Sequence, residues 1–154
     1  MKIVFINPSL RPNAKNRQLP VGLAYVMTAA SKAGFEFDFV DMDIDKIPMK
    51  ELEVIFTQKT YDVYAFGCIV TGFKFAQEIS TIIKRTNPQA TVIAGNSVAG
   101  SIPEILLNNT DVDIAVIGEA DITIVELLGR LRDKQDITDV NGIAFKRNGA
   151  IEYT

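Results

Sequence analysis

The sequence predicts an α/β domain whose central sheet has five parallel strands and is covered by helices on both faces. Apolar runs of strand length alternate along the chain with segments of helical periodicity, which is typical of units with right-handed crossovers. The runs also lack polar alternation, as expected for strands that are buried on both faces. The 154 residues, 47% of them hydrophobic, suffice for one domain with a full core.

Each predicted strand leads into a helix with its own boundary signals. The apolar runs lie at residues 3–6, 37–40, 62–67, 91–95 and 114–117. Helical periodicity covers residues 20–32, 49–56, 73–86, 102–107 and 119–132. Pro88 ends the third helix, because the residue before a proline avoids the α region, and Pro103 suits the first turn of the fourth. Residues 143–145 and 151–153 then flank Asn148 and Gly149, a pair that favours a β-hairpin.

Composition excludes several functions. Sixteen basic and nineteen acidic residues give a formal charge of -3, which provides no electrostatic surface for nucleic acid. We find no signal peptide and no apolar run that could cross a bilayer, so we expect a cytoplasmic protein. The chain has no histidine and one cysteine, Cys68. These counts exclude catalytic triads, histidine ligands and a cysteine-built metal cluster, and we predict no catalytic or metal-binding residue.

The candidate site follows from the segments after the strands. In an open parallel sheet, ligands bind beyond the carboxyl ends of the strands. Four of the predicted strands lead into segments of glycine and small polar residues, which let a ligand approach the backbone. The candidate cofactor-binding residues are Asn7, Pro8, Gly67, Cys68, Thr71, Gly95, Asn96, Ser97, Gly118 and Glu119.

Structural interpretations compete with these roles. A glycine after a strand is often only a turn, and a lone cysteine such as Cys68 is more often a small buried hydrophobe than a reactive thiol. Negative charge is favoured in the first turn of a helix. We interpret Asp121 as structural on that ground and Glu119 as a site residue.

Two charged segments remain open to more than one interpretation. The connection from residue 7 to residue 18 is long. Its basic side chains could bind a phosphate or a partner domain, or could simply be solvated. These basic residues are Arg11, Lys15 and Arg17. Three aspartates alternate after the second strand, and we interpret them as a solvated acidic turn in preference to a ribose or metal site. They are Asp41, Asp43 and Asp45. No glycine-rich dinucleotide or P-loop motif is present.

Ordered motifs resemble the amino-terminal part of cobalamin-dependent radical SAM proteins, a group that includes magnesium-protoporphyrin monomethyl ester cyclase-like proteins and methyltransferases. The resemblance covers nearly the whole chain. It is carried by residues 3–8 (IVFINP), 19–25 (LPVGLAY), 61–63 (YDV), 67–71 (GCIVT), 94–97 (AGNS), 118–121 (GEAD) and 140–145 (VNGIAF). Asn96 stands where the family has a second glycine, and the family histidine is absent or replaced by Val98.

The resemblance implies a flavodoxin-like (Rossmann-like) three-layer sandwich with strand order 2-1-3-4-5 and a C-terminal hairpin extension. Residues 1–139 would hold cobalamin at the carboxyl edge of the sheet, with its base detached from cobalt and no histidine ligand. Residues 140–154 would lead to a radical SAM domain that binds a 4Fe-4S cluster and S-adenosylmethionine. The chain would then be an amino-terminal fragment that is not catalytic alone.

Two other functions remain open. The first is a non-catalytic docking module that orients a radical SAM domain without binding cobalamin, which the side chain at Asn96 and the basic connection would suit. The second is a flavin or nucleotide site at the same edge.

Overall fold

A computed structural model describes residues 1–9 and 20–154. Within those residues, seven strands form one sheet: Ile3–Asn7 (β1), Asp38–Asp41 (β2), Val63–Gly67 (β3), Thr91–Gly95 (β4), Ile114–Val116 (β5), Ile143–Arg147 (β6) and Ala150–Tyr153 (β7). The α-helices there are Val21–Lys32 (α1), Met49–Gln58 (α2), Phe73–Thr86 (α3), Asn96–Ser101 (α4), Pro103–Asn109 (α5) and Ala120–Arg132 (α6). A 3₁₀ turn, Val70–Gly72, precedes α3. The basic residues Arg11, Lys15 and Arg17 lie outside the described part.

The strand order is β2-β1-β3-β4-β5-β6-β7, and the first five strands in it are parallel. This confirms the five predicted parallel strands and their order. The direction of winding reverses between β1 and β3. Such a reversal leaves a crevice at the carboxyl ends of the strands, because the connections on its two sides leave in opposite directions.

The prediction that the sheet stops at five strands is wrong. β6 pairs antiparallel with β5, and β7 pairs antiparallel with β6, so the hairpin continues the sheet. Ile143, Ala144 and Phe145 of β6 are buried, which gives the hairpin an apolar reason to pack there. The pairing also supplies partners for the backbone groups of β5, which would otherwise form an open edge.

Helices cover the sheet on both faces, as the unbroken apolar strands predict. Alternate residues of β1 point to opposite sides, because successive side chains of a strand alternate. Ile3 and Phe5 join a core with α1 and α6. Val4 and Ile6 join the other core, which is built with α2, α3, α4 and α5. In the described part of the chain, the α1 and α6 face therefore has two helices above five parallel strands.

Two helical details differ from the sequence prediction. Residues 96–101, expected to be a loop, form α4, where the burial of Val98 and Ala99 stabilises a short helix. The apolar spacing of residues 119–132 predicts a buried stripe of Ile122, Val125, Leu128 and Leu131, and Ile122 alone of these four does not pack in the core. Ile122 is 77% exposed, whereas Ile124 and Leu127 are buried against the sheet. Among residues 1–9 and 20–154, no helix is both long and apolar enough to cross a membrane.

Candidate functional site

A cleft of about 610 Å³ opens at the carboxyl edge of the sheet, between the sheet and the first turns of α1 and α6. Its depth is formed by apolar side chains on the α1 and α6 face: Phe5, Ala65, Ile93, Val116 and Ile124. Both helices begin at this edge, so their N-terminal ends border the opening. The volume is within the range of about 300–1,000 Å³ that is usual for small-molecule and cofactor sites.

Small residues on the two central strands keep the cleft open. Gly67 of β3 and Gly95 of β4 are partners in the parallel register, so no side chain stands at either position. One layer deeper, Ala65 pairs with Ile93. A Cβ atom added at Gly95 would have no heavy atom within 4 Å, so the space above this residue is empty. The glycine pair therefore leaves bare backbone at the mouth of the cleft.

Asn7 forms one wall of the cleft at the end of β1. Its side chain is buried, and its Nδ2 donates to Asp41 Oδ1 of the neighbouring strand β2 at 2.9 Å. The same Asp41 oxygen accepts the backbone N–H groups of Asp43 at 3.0 Å and Ile44 at 2.9 Å. Asp41 is thus not part of a solvated acidic turn. It is a buried acceptor that links the cleft wall to the turn after β2.

Asn96 forms the opposite part of the mouth. Its φ is +75°, in the left-handed region, where asparagine is among the most tolerated residues after glycine. Asn96 therefore keeps a backbone conformation that glycine favours, at the position where the resembled family has glycine. Its Cβ and Nδ2 approach the space above Gly67, at 3.7 and 3.6 Å from the position of a Cβ added there. Its Oδ1 accepts the N–H of Ser97 at 2.6 Å.

Gly118 and Glu119 connect β5 to α6 along the rim. Gly118 has a φ of +78°, which an L-residue with a side chain adopts only with strain. Glu119 is the residue before α6, and Asp121 lies in the first turn of that helix. Both line the cleft, and both lie where the helix dipole favours negative charge. Asp121, interpreted from the sequence as structural, is thus also a cleft residue.

The structure brings together seven of the ten candidate residues. The seven that line the cleft are Asn7, Pro8, Gly67, Gly95, Asn96, Gly118 and Glu119. Thr71 and Ser97 are exposed and lie outside the lining. Cys68 is fully buried in the core on the α2 to α5 face, and this burial raises the pKa of its thiol to about 11.

Sequence reasoning missed the contribution of α1. Pro20, Gly22, Leu23, Tyr25 and Val26 line the cleft, although none of them was among the candidate residues. It also missed the apolar depth, because those strand residues look like ordinary core residues in the sequence. The available signal was the alternation of the strands, which assigns Phe5 and Asn7 to the same face.

The family comparison agrees with this architecture. A family model described as the B12 binding domain matches residues 10–128, which is more than half of the chain. The chain therefore belongs to the B12-binding domain family.

Curated relatives are longer proteins. A methyltransferase of Pyrococcus horikoshii, described as uncharacterised, is 24% identical over 135 residues, which are 86% of this chain and 29% of the relative. The cobalamin-dependent radical SAM methyltransferase TokK of Streptomyces tokunonensis is 31% identical over 88 residues, which are 56% of this chain and 13% of TokK. The chain thus spans less than a third of either relative.

Solved structures share the fold. The radical SAM methyltransferase TsrM from Kitasatospora setae, with cobalamin and a [4Fe-4S] cluster bound, has a TM-score of 0.82 at 18% identity over 97% of this chain and 28% of TsrM. The cobalamin-dependent radical enzyme OxsB, with aqua-cobalamin and S-adenosylmethionine bound, has a TM-score of 0.82 at 15% identity over 99% of this chain and 22% of OxsB. At these identities the likeness establishes the fold alone.

Proposed function

We propose that this chain binds cobalamin with the corrin ring at the carboxyl edge of the sheet and the nucleotide tail, detached from cobalt, in the cleft between α1 and α6. The observation that carries the proposal is the cleft itself, about 610 Å³ with an apolar depth below a glycine-lined mouth. An apolar base fits the depth, and a few polar groups at the rim can orient the rest of the ligand.

The roles of the rim residues follow from their positions. At Gly95 and Gly118 no heavy atom lies within 4 Å of an added Cβ, so a flat ring can approach the backbone closely there, whereas the side chain of Asn96 borders the space above Gly67. Asn7 and Asn96 offer carboxamides from opposite sides of the mouth. These residues hold and orient the ligand, and none of them is a catalytic acid or base.

The chain supplies no imidazole for the cobalt, because it contains no histidine. Cobalamin supplies methyl-transfer or radical chemistry when bound, whereas the protein supplies orientation and electrostatics. The one thiol of the chain, Cys68, is buried in the opposite core and does not line the cleft.

We also propose that a radical SAM domain, with its own 4Fe-4S cluster and S-adenosylmethionine, covers the mouth of the cleft. Val21, Tyr25 and Ile122, which are 69%, 67% and 77% exposed, lie in the first two turns of the helices that border it. Exposed apolar groups beside a cleft favour a protein interface. In this proposal residues 1–139 form the cobalamin domain, residues 140–154 lead toward the catalytic domain, and the whole protein is a methyltransferase or oxidative cyclase.

The test is to mix the protein with hydroxocobalamin, remove free ligand by desalting and record the visible spectrum. We expect the protein fraction to retain the colour, with the spectrum of cobalamin whose base has left the cobalt. Colourless protein at high ligand concentration would refute cobalamin binding and favour the docking module. A retained ligand with its base still on cobalt would refute the placement of the tail.

A matched pair of variants tests the cleft. Ala65→Leu adds a larger side chain to the apolar depth without altering the rim, and we expect at least a tenfold loss of affinity for hydroxocobalamin. Ser97→Ala alters an exposed residue outside the cleft and should bind like the wild type. A thermal melt should show that Ala65→Leu is folded, since overpacking a core costs about 1–3 kcal/mol.

A further inference from the structure

We propose that Asp41 is a positioning residue that holds the carboxamide of Asn7 with its oxygen toward the cleft, where that oxygen accepts a hydrogen bond from a sugar hydroxyl of the nucleotide tail. This inference rests on the proposed function, since it requires the tail to occupy the cleft. The wall of the cleft at the end of β1 then presents a hydrogen-bond acceptor, and Asp41 is the residue that fixes this orientation.

The orientation of Asn7 follows from what Asp41 can accept. The two residues are partners in the register of β1 and β2, and both side chains are buried. One oxygen of Asp41 receives three donors, the Asn7 amide and the N–H groups of Asp43 and Ile44. Because this oxygen already accepts two backbone N–H groups, it acts as an acceptor, so the nitrogen of the Asn7 amide and not its oxygen must face it. The amide oxygen is then the atom that Asn7 offers to the cleft.

The position of Asn7 in the cleft indicates which part of the nucleotide tail would contact its amide oxygen. Phe5 lies two residues earlier on the same face and belongs to the apolar depth, where the base of the tail fits. Asn7 lies one layer closer to the mouth. With the base in the apolar depth, the sugar attached to it would lie at the level of Asn7. A sugar hydroxyl can donate to the amide oxygen. The phosphate is unsuited, because it only accepts hydrogen bonds and would lie near the carboxylate of Asp41.

Two corrinoids and two variants test the proposal by equilibrium dialysis. Asp41→Ala releases the Asn7 amide, and we expect about a tenfold loss of affinity for hydroxocobalamin. The same variant should bind cobinamide, which lacks the nucleotide tail, within about twofold of the wild type. Asp41→Asn is the matched control, because its amide oxygen can occupy the accepting position and keep all three hydrogen bonds. We expect it to bind both corrinoids within about twofold of the wild type.

Asn7→Ala keeps the test decisive if Asp41→Ala does not fold, because it removes the same acceptor while leaving the turn after β2 intact. It should show the same loss for hydroxocobalamin and not for cobinamide. A purely structural role would lower the affinity for both corrinoids equally, and that result, or no loss at all, overturns the inference while the proposed function stands. A wild-type protein that binds neither corrinoid overturns the proposed function and this inference together.

Discussion

The substitution Gly118→Ala measures the cost of placing a side chain on the left-handed backbone at the cleft rim. Its φ is +78°, and a Cβ added there would have no heavy atom within 4 Å. Gly118→Ala therefore introduces no steric clash, and its cost is the left-handed conformation alone. That conformation costs an L-residue about 1–2 kcal/mol, which exceeds the stabilisation of about 0.4–1 kcal/mol that alanine gains by restricting the unfolded chain. We expect the free energy of unfolding to fall by about 1 kcal/mol.

Alanine substitutions at two other glycines serve as comparisons for the expected loss of stability in Gly118→Ala. Gly142 has a φ of +79°, and a Cβ there would lie 3.1 Å from the carbonyl oxygen of Ile117 and 3.4 Å from Oγ1 of Thr123. Gly142→Ala thus adds crowding to the same strain and should destabilise the protein more than Gly118→Ala. Gly95 has an extended φ of -124° and open space, so Gly95→Ala keeps only the gain from the unfolded chain and should raise the free energy of unfolding by about 0.4–1 kcal/mol.

The assay is urea unfolding of the three variants and the wild type, followed by far-UV circular dichroism. The order of stability we expect is Gly95→Ala at or slightly above the wild type, then Gly118→Ala, then Gly142→Ala. Gly118→Asn should recover part of the loss, because asparagine tolerates the left-handed region better than alanine does. The reasoning is refuted if Gly118→Ala is as stable as the wild type, or if Gly95→Ala is the most damaging of the three.

Two further measurements test the core on the α2 to α5 face. The buried hydroxyl of Tyr64 accepts the N–H of Tyr61 at 3.1 Å, so Tyr64→Phe leaves that donor without its acceptor and should cost about 1–3 kcal/mol in urea unfolding. Unchanged stability would contradict this role of the hydroxyl. Because burial raises the pKa of Cys68 to about 11, about one thiol in a thousand is ionised at pH 8. A disulfide reagent should therefore label Cys68 slowly in the native protein and rapidly in urea, and rapid native labelling would argue against the burial.

The sequence predicted the parallel part of the fold well, because buried parallel strands have a distinctive composition. Continuous apolar runs such as residues 3–6 and 91–95 are typical of strands in a covered parallel sheet when helical segments separate them. The partner of the hairpin was not evident. Ile143 and Phe145 show that it is apolar on one face, but a strand pattern does not specify which edge it joins, since pairing depends on residues distant in the chain.

One apolar residue of α6 was assigned to the wrong face of the helix. Periodicity assigned Ile122 to the buried stripe of α6, yet the structure buries Ile124 and leaves Ile122 exposed. An apolar residue near a helix end fits two neighbouring stripes, and only the packing of α6 against α1 and the sheet selects one. The exposed Ile122 then becomes informative, because it lies beside the mouth of the cleft.

The sequence by itself determined the class of fold and the absence of histidine from this chain, and it predicted the edge of the sheet at which the cleft lies. Those properties depend on composition and local periodicity. Only the tertiary structure decided that a cleft exists there, that Asn7 and Asn96 line it while Cys68 and Thr71 do not, and that Asn7 donates a hydrogen bond to Asp41. The physical reason is that a cavity and a hydrogen bond between strands are properties of packing, which joins residues such as 7 and 41 that no local pattern relates.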